Sequence, residues 1–281
     1  MLIPIKYPIN LAATLLSGQT FRWHERDGWL YGVIFNNIVK LRSNADGIEF
    51  TSLPDHESQI YPILTDYLRL DVNLDSVYSS IATDHHIKAA ITRFQGMHIL
   101  RQDPWECLIS FICSSNSNIL RITKNVESIC ATFGHFIDGS DFSGYTFPSP
   151  EQLASAGEMK LRELGVGYRA SFVVSAASSV ADGELDLMAL REDSYENALN
   201  KLTSLNGVGD KVANCVLLFS LDKDEAFPVD THIEKRLVEW YLKEVTLSRT
   251  NMRIWAQERF GRYAGYANQY LFHDRRNPLI P

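Results

Sequence analysis

Cysteine is scarce and scattered in this chain of 281 residues. Its four cysteines, Cys107, Cys113, Cys130 and Cys215, include no Cys-x-x-Cys pair. That spacing argues against a clustered zinc or iron–sulfur site and against a disulfide framework. Long apolar runs are missing as well: none approaches the ~20 residues needed to cross a bilayer. The opening MLIPIKYPIN has neither the charged n-region nor the apolar h-region of a secretory signal. An intracellular address with no membrane partner is therefore expected. Nor is there an excess of positive charge, since 27 Lys and Arg face 34 Asp and Glu for a net charge of −7. This balance excludes only a uniformly basic surface. Five arginines and His273 between Arg253 and Arg276, against Glu258 and Asp274, leave room for a local one. No low-complexity tract or solenoid repeat is present.

The rest is the makeup of a soluble globular protein, 45% hydrophobic and 22% charged, long enough for two or three cores. The first fifty residues read as β-rich. WLYGVIF (29–35) and IVKLRS (38–43) flank Asn36-Asn37, a pair suited to a two-residue hairpin turn. Asp46-Gly47 then introduces IEF as a third strand. From about residue 57 the apolar spacing turns helical. Asp103-Pro104 reads as an N-cap followed by proline at the first helical position. Trp105, Leu108, Ile109 and Ile112 continue as one apolar stripe, and Ile122, Val126, Ile129, Cys130 and Phe133 form a second. Asp138–Pro150 reads as a loop. The expected fold is α+β: an N-terminal antiparallel β-sheet domain over residues 1–95, then a mainly α-helical unit over 96–281. The stretch SGQTFRW (17–23) is ambiguous by itself. It is either a strand start with Phe21 and Trp23 in the core, or a wall of a site whose glycine admits something to the main chain.

Chemistry concentrates in residues 199–240. Helical pattern ends near Leu205, Asn206-Gly207-Val208-Gly209 forms a tight turn, and Asp210 is placed to cap a second helix with the buried stripe Val212, Cys215, Val216 and Phe219. Two helices joined by a glycine turn are either a steric αα-corner or a hairpin whose outward amides suit a phosphate. A second Gly-Val-Gly, at 165–167, lacks a lysine two residues on and serves as an internal control. Lys211 falls in the first turn of the second helix, where the dipole disfavours a cation and so favours a neutral amine. Pro228-Val229-Asp230-Thr231-His232 opens another helix with Asp230 as its N-cap and Ile233, Leu237 and Trp240 as its stripe. Taken singly, an N-cap aspartate and a surface lysine are ordinary. Together with the hairpin they read as an amine nucleophile and a carboxylate that stabilises a developing cation and shuttles a proton.

Helix–GVG–helix with a lysine and a following P-V-D turn resembles the helix-hairpin-helix DNA glycosylases, and within them the 8-oxoguanine DNA glycosylases. SGQTFRW, DPWECLISFICSSNSNILRI, FPSPEQLA, LGVGYRASFV, LNGVGDKVANCVLLFSLDK, PVDTHI and GYANQYLF occur in family order over nearly the whole chain. The resemblance implies two helical subdomains with the active site between them and a bifunctional reaction. A damaged guanine is flipped from the duplex, Asp230 stabilises the oxocarbenium-like sugar, and Lys211 attacks C1′ to give a Schiff base. β-Elimination then nicks the strand. By the same resemblance Gly207, Val208, Gly209 and His232 contact DNA phosphate. No cofactor is required, and a monovalent or divalent cation is expected at the main-chain carbonyls of Thr203, Leu205 and Val208.

The resemblance also implies that Asn116 fills the gap left by the flipped base, that Arg121 and Arg169 read the orphaned cytosine, and that Tyr168 wedges the opened duplex. Cys215 and Phe272 would sandwich the base, although both also suit core packing. Asn268 stands where the family usually reads the Watson–Crick edge with glutamine, and Gln269 points about 100° away around the helix. Gly18 would accept a hydrogen bond from N7–H of 8-oxoguanine, a proton that guanine lacks, with Phe21 in the wall behind it. The implied partner is double-stranded DNA carrying 8-oxoguanine opposite cytosine, bound by a monomer acting on chromosomal DNA. The rival readings are a glycosylase of the same superfamily for another oxidised or alkylated base, and a non-catalytic helix-hairpin-helix DNA-binding module.

Overall fold

The computed structural model describes residues 1–277 except Pro8, Ser140 and Glu244. Strands β1 (Leu2–Pro4), β2 (His24–Arg26), β3 (Trp29–Ile34), β4 (Asn37–Asn44) and β5 (Gly47–Leu53) form one antiparallel sheet in the order β1-β5-β4-β3-β2. The expected strands are there, and β1 and β2 extend the sheet at its two edges. Ile34 pairs with Asn37, so the hairpin turn is Phe35-Asn36, one residue earlier than the sequence suggested. Both turn residues have positive φ, 43° and 67°, the combination that matches strand twist in a two-residue hairpin. Asn37 is instead buried in β4, where its amide exchanges hydrogen bonds with Asp55 at 3.0 Å.

Helices α1 (Leu11–Leu15) and α2 (Glu57–Tyr67) cover this sheet. Leu11, Leu15, Ile60, Leu64 and Tyr67 share a core with Val39, Leu41, Ile48 and Phe50. Helices α3 (Leu74–Ile81) and α4 (His85–Arg93) do not belong to that core. Their Leu74, Val77, Ile81, Ile87 and Ile91 join the large helical core. The helices from residue 74 to 93 thus pack with the helical core although they precede residue 95, because a helix follows the apolar surface it buries and not its neighbours in sequence.

The remaining helices are α5 (Pro104–Cys113), α6 (Ile119–Phe133), α7 (Pro150–Glu163), α8 (Ala170–Ala181), α9 (Tyr195–Thr203), α10 (Asp210–Ser220), α11 (Thr231–Trp240), α12 (Arg249–Phe260) and α13 (Ala264–Arg276). Asp103 caps α5 through Glu106 N, with Pro104 at its start, as the sequence indicated. The stretch after α6 is more than a loop: β6 (Phe136–Ile137) and β7 (Gly144–Tyr145) pair as a short ribbon. Helices α5 to α10 pack as one group, and α3, α4, α11, α12 and α13 as another. The boundary between the groups runs through the turn from α10 to α11. The fold is thus α+β, with an antiparallel sheet ahead of a larger helical region.

Buried arginines lock the sheet half to the end of α10. Arg69, just past α2, donates to both Asp224 carboxylate oxygens at 2.8 and 3.2 Å. Arg101 reaches both oxygens of Asp222 at 2.9 Å. Removing one partner of a buried pair leaves an uncompensated charge, which is the costly case. Asp224→Ala is expected to lower unfolding free energy by about 3–5 kcal/mol in urea titrations. Glu163→Ala, which breaks the exposed pair with Lys160, should cost under about 1 kcal/mol.

The crossing from α4 to α5 also buries His98. Burial pushes its imidazole down to about 4, opposed by the Arg69 main chain and Asp71 and reinforced by the Arg69 charge. The unfolded chain takes up this proton near pH 6.5 and the folded chain only near 4. Between these values the unfolded state binds more protons, so stability rises with pH and is lost as pH falls. From pH 7 to 4.5 the native chain is expected to lose about 2–3 kcal/mol more than a His98→Phe variant, by denaturant titration at each pH.

Candidate active site

The turn between α9 and α10 shows why Gly207 must be glycine, whereas Gly209 is not forced to be. Gly207 has φ +80°, and a Cβ there would run into the Phe172 ring. Gly209 faces open space and takes the N-cap position of α10 with extended backbone, its carbonyl accepting from Ala213 N. Asp210 is therefore the first helical residue and not the cap expected for it. Its carboxylate accepts instead from Arg253 Nε at 3.0 Å and from Asn214 at 3.2 Å. No side chain caps α10, so its first amides present positive partial charge outward. Val208 is buried beneath the turn, and its N–H donates to the Leu205 carbonyl at 3.1 Å.

Every residue of α10 from Val212 to Ser220 is buried, which fixes the helix between the two groups. Lys211 is its second residue and points into the structure. Its Nζ donates to Ser114 Oγ at 2.8 Å and lies 5.1 Å from the Phe111 ring centroid. One turn on, burial pushes the Cys215 thiol up to about 11, with Lys211 lowering it and Asp230 raising it. The thiol is therefore neutral near pH 7, and it sits within the field of both the lysine and the aspartate. Asp230 caps α11 as the sequence indicated: Oδ1 accepts from His232 N at 2.9 Å and Ile233 N at 2.8 Å. Both bonds fall on one oxygen, and among the described residues Oδ2 has no hydrogen-bond partner. Nor do Lys211 and Asp230 form an ion pair among the described residues, so neither charge neutralises the other by contact.

SGQTFRW is an irregular turn, since β2 begins only at His24. Gly18 has φ +88°, a conformation that costs a non-glycine residue about 1–2 kcal/mol. Its neighbours are clamped. Gln19 Nε2 donates to the Thr14 and His98 carbonyls at 2.7 and 2.9 Å, and its Oε1 accepts from Leu100 N at 2.8 Å. Gln102 Nε2 binds the Gln19 carbonyl at 2.7 Å, while Gln269 Nε2 binds Ser17 Oγ at 2.8 Å. The aromatics pack behind this turn. Phe21 lies edge-on to Phe111 at 5.4 Å, and Trp23 Nε1 donates to the Tyr67 hydroxyl at 2.9 Å.

Helix α13 brings Phe272 to the same place, its Cε1 being 3.4 Å from where a Gly18 Cβ would lie. The His232 ring meets Phe272 edge-on at 5.9 Å. Asn268 does not open onto this face. It is buried, and its amide donates to the Pro228 carbonyl at 2.9 Å, tying α13 to the turn that carries Asp230. The shorter side chain has found a main-chain partner one helical position away from the Gly18 wall. Gln269 takes the position toward Ser17. Sequence reasoning turned Gln269 away and passed over Ser114, since the direction a polar side chain takes is set by partners distant in sequence.

The loop after α5 and the start of α8 form a separate exposed group. Asn116, at φ +48°, donates to the Tyr168 hydroxyl at 3.2 Å, and Tyr168 is 46% exposed. Arg121 is exposed on α6. Arg169 is not free in the same way. It is buried and donates to the main-chain carbonyls of Ser115, Val166 and Asn116 at 2.6, 3.2 and 3.0 Å. These three bonds tie Arg169 to the loop it stands beside. Leu120, 84% exposed beside Arg121, is an apolar side chain on this surface that the sequence reading passed over. Near the start of α11, a cleft of about 480 Å³ is lined by Thr231, His232, Lys235, Arg236, Glu239 and Arg275.

The Gly18 turn supplies a direct test of the wall. Gly18→Ala combines the φ penalty with a Cβ only 2.7 Å from Ile119 Cδ1. The substitution is expected to cost about 1–2 kcal/mol of stability in denaturant unfolding. Gly28→Ala, also at positive φ but with open space around it, should show the backbone part alone.

Residues 2–108 match the family described as 8-oxoguanine DNA glycosylase, N-terminal domain, and residues 109–257 match the HhH-GPD superfamily base excision DNA repair proteins. The N-glycosylase/DNA lyase OGG1 of Arabidopsis thaliana is 32% identical over 94% of this chain and 76% of its own length. The N-glycosylase/DNA lyase of Saccharomyces cerevisiae is 33% identical over 95% of this chain and 83% of its own. Among solved structures, the Clostridium acetobutylicum 8-oxoguanine glycosylase/lyase in complex with duplex DNA carrying cytosine opposite 8-oxoG superposes with a TM-score of 0.91. It is 28% identical, over 99% of this chain and 98% of that one. The chain therefore belongs to the HhH-GPD superfamily of base excision DNA repair proteins, with the N-terminal domain of its 8-oxoguanine glycosylases.

Proposed function

We propose that the chain is a bifunctional DNA repair glycosylase that excises 8-oxoguanine opposite cytosine and then cleaves the strand at the abasic site. The observation that carries this reading is the pair of helix starts: Lys211 Nζ donates to Ser114 Oγ at 2.8 Å, and Asp230 caps α11 through Oδ1 alone, with no ion pair between the two among the described residues. This supports Lys211 as the nucleophile with Asp230 acting beside it, while burial pushes the Cys215 thiol up and so disfavours a thiolate. The extruded base would lie between Cys215 and Phe272, with Gly18 C=O accepting from N7–H. Guanine presents an acceptor at N7, and leaving a buried hydrogen bond unmade costs about 1–3 kcal/mol.

As the C1′–N9 bond breaks, its electron pair leaves with the base and positive charge develops on the sugar. The Asp230 carboxylate stabilises that charge through space. Lys211 Nζ, held toward the site by Ser114, forms the new bond to C1′ in its neutral form and gives up its protons. Ring opening yields the Schiff base, whose iminium draws electrons from C2′, and loss of the 3′-phosphate by β-elimination nicks the strand. Asp230 and the departed base are the groups available to move these protons.

Backbone phosphate would be held by the uncapped amides around Gly207, Val208 and Gly209 and by His232 and Lys235 at the α11 cleft. The reaction needs no cofactor. A cation at the carbonyls of Thr203, Leu205 and Val208 is supported by the donor set. Neutral main-chain oxygens at the end of α9 suit a hard monovalent ion and offer nothing to a soft metal. Such an ion would add positive charge beneath a bound phosphate. On the orphaned strand, exposed Asn116, Arg121 and Tyr168 suit gap filling, cytosine reading and wedging. Arg169 would serve first as the brace of their loop, and it could read cytosine only by releasing those carbonyls.

Borohydride trapping on a duplex with 8-oxoguanine opposite cytosine tests the reading. The native chain is expected to give a covalent adduct and Lys211→Gln none, while Lys211→Gln retains DNA binding within about threefold, less than 1 kcal/mol. Absence of an adduct from the native chain would sink the Schiff base.

A further inference from the structure

Helix α13 turns one face toward the Gly18 wall. Gln269, Phe272 and Arg276 follow one another at helical spacing on that face. Gln269 holds Ser17, and Phe272 Cε1 comes close to Gly18. An Arg276 Nη1 would stand 3.1 Å from a Cβ on Gly18, closer than Phe272 at 3.4 Å. Its guanidinium carbon is 5.6 Å from the Phe272 ring centroid. Burial disfavours the Arg276 charge and the Asp230 carboxylate favours it, so the guanidinium feels that aspartate while standing beside the Gly18 turn. Other arginines of the C-terminal region are engaged elsewhere: Arg253 pairs with Asp210, Arg259 with Asp84 and Arg275 with Glu239.

We propose that Arg276 is a specificity-determining residue of the base pocket, donating from its guanidinium to the C8 oxygen of extruded 8-oxoguanine while Gly18 C=O accepts from the adjacent N7–H. This inference rests on the 8-oxoguanine reading above. N7 and C8 are neighbouring ring atoms, so the lesion presents a donor and an acceptor side by side on one edge. The Gly18 turn presents the complement, a main-chain acceptor and a cationic donor a few ångströms apart. Guanine inverts the first position and replaces the second by a C–H, which leaves the guanidinium without its bond. A charged donor makes the stronger kind of hydrogen bond, and the fixed fork of arginine gives it direction. The adjacent Phe272 ring supports the guanidinium from the side. Two atoms that distinguish the lesion from the normal base would thus be read by two groups on different segments, one from the Ser17–Gln19 turn and one from α13.

The test uses the full chain with three duplexes, carrying 8-oxoguanine, guanine or a preformed abasic site, each opposite cytosine. Arg276→Ala is expected to slow single-turnover release of 8-oxoguanine by about 10- to 100-fold, the range for a lost hydrogen bond to a charged group. Affinity for the guanine duplex should change by less than about twofold, so the preference for the lesion duplex falls. Borohydride trapping on the abasic duplex, where there is no base to contact, should also stay within about twofold and report an intact fold. Arg276→Lys should fall between the two, keeping the charge without the fork. Equal losses on the abasic and 8-oxoguanine duplexes would overturn the proposal, since Arg276 would then act on Asp230 or the DNA backbone. Unchanged release of 8-oxoguanine by Arg276→Ala would overturn it too. If the native chain releases no 8-oxoguanine, the functional reading itself fails.

Discussion

The buried amide of Gln19 is the point on which the geometry of the site depends. Three separated stretches meet there, the end of α1, the crossing at His98–Leu100 and the turn at Gly18, and a fourth, α13, arrives one residue away through Gln269 and Ser17. A primary amide has two donors and a carbonyl, and here all of them fix main chain, with Ser17 Oγ a longer fourth contact at 3.5 Å. Water cannot compete, because Ser17 and Gln19 are fully buried. Such networks specify one arrangement when they are satisfied and are costly when they are not. The consequence is a glycine held at positive φ with its carbonyl direction set in advance. Preorganisation of that kind lowers the cost of binding at a main-chain carbonyl, since the chain does not have to be ordered when a ligand arrives.

The same economy is visible in α10. A helix buried on all sides from Val212 onward cannot shift without disrupting both groups of helices, so its N-terminus is a fixed platform. The platform carries the amine in its first turn, where the dipole works against a positive charge, and a neutral thiol one turn deeper. Asp230 comes from the next helix, whose first turn it caps with one carboxylate oxygen while the other is left for chemistry. Neither residue needs the other to hold its position. Lysine is placed by Ser114 and Phe111, and aspartate by its own helix. The two side chains are thus held independently, with no contact between them to fix either one.

How much of this the sequence disclosed depends on whether a feature is local. The Asp103 and Asp230 caps, the stripe of α10 and the strands of the sheet are written in short-range patterns, and they were legible. The hairpin turn was misplaced by one residue because Phe35 has to adopt positive φ, which its side chain does not announce. Asp210 read as a cap because Gly209 can hold that position with no side chain at all. The packing of α3 and α4 with the helical core was out of reach, since they go to α13 for their burial. Asn268 and Arg169 fell between. Both lie at helix positions the sequence could indicate, but their hydrogen bonds to Pro228 and to the 115–116 loop depend on carbonyls distant in sequence. Side-chain direction within a correctly placed element is the level at which a single sequence says least.

The acidity of the chain is the remaining puzzle for a protein that binds a polyanion, and the distribution of charge resolves it. A net charge acts over the whole surface only in the absence of salt, because screening limits its reach to about 8 Å under physiological conditions. What a phosphate meets is therefore local. At the α10 turn it meets uncapped amides and no carboxylate at the cap, since Asp210 is drawn aside by Arg253. At the α11 cleft it meets His232, Lys235 and Arg275, with Glu239 held by Arg275 at 2.7 Å. Elsewhere many arginines serve the fold: Arg22, Arg69, Arg101 and Arg236 all bind carboxylates inside it. The acidic residues are thus largely committed to internal pairs or distant surface, and the positive potential at the two helix N-termini comes mostly from main-chain amides. That source costs the sequence no lysines and leaves no trace in its composition.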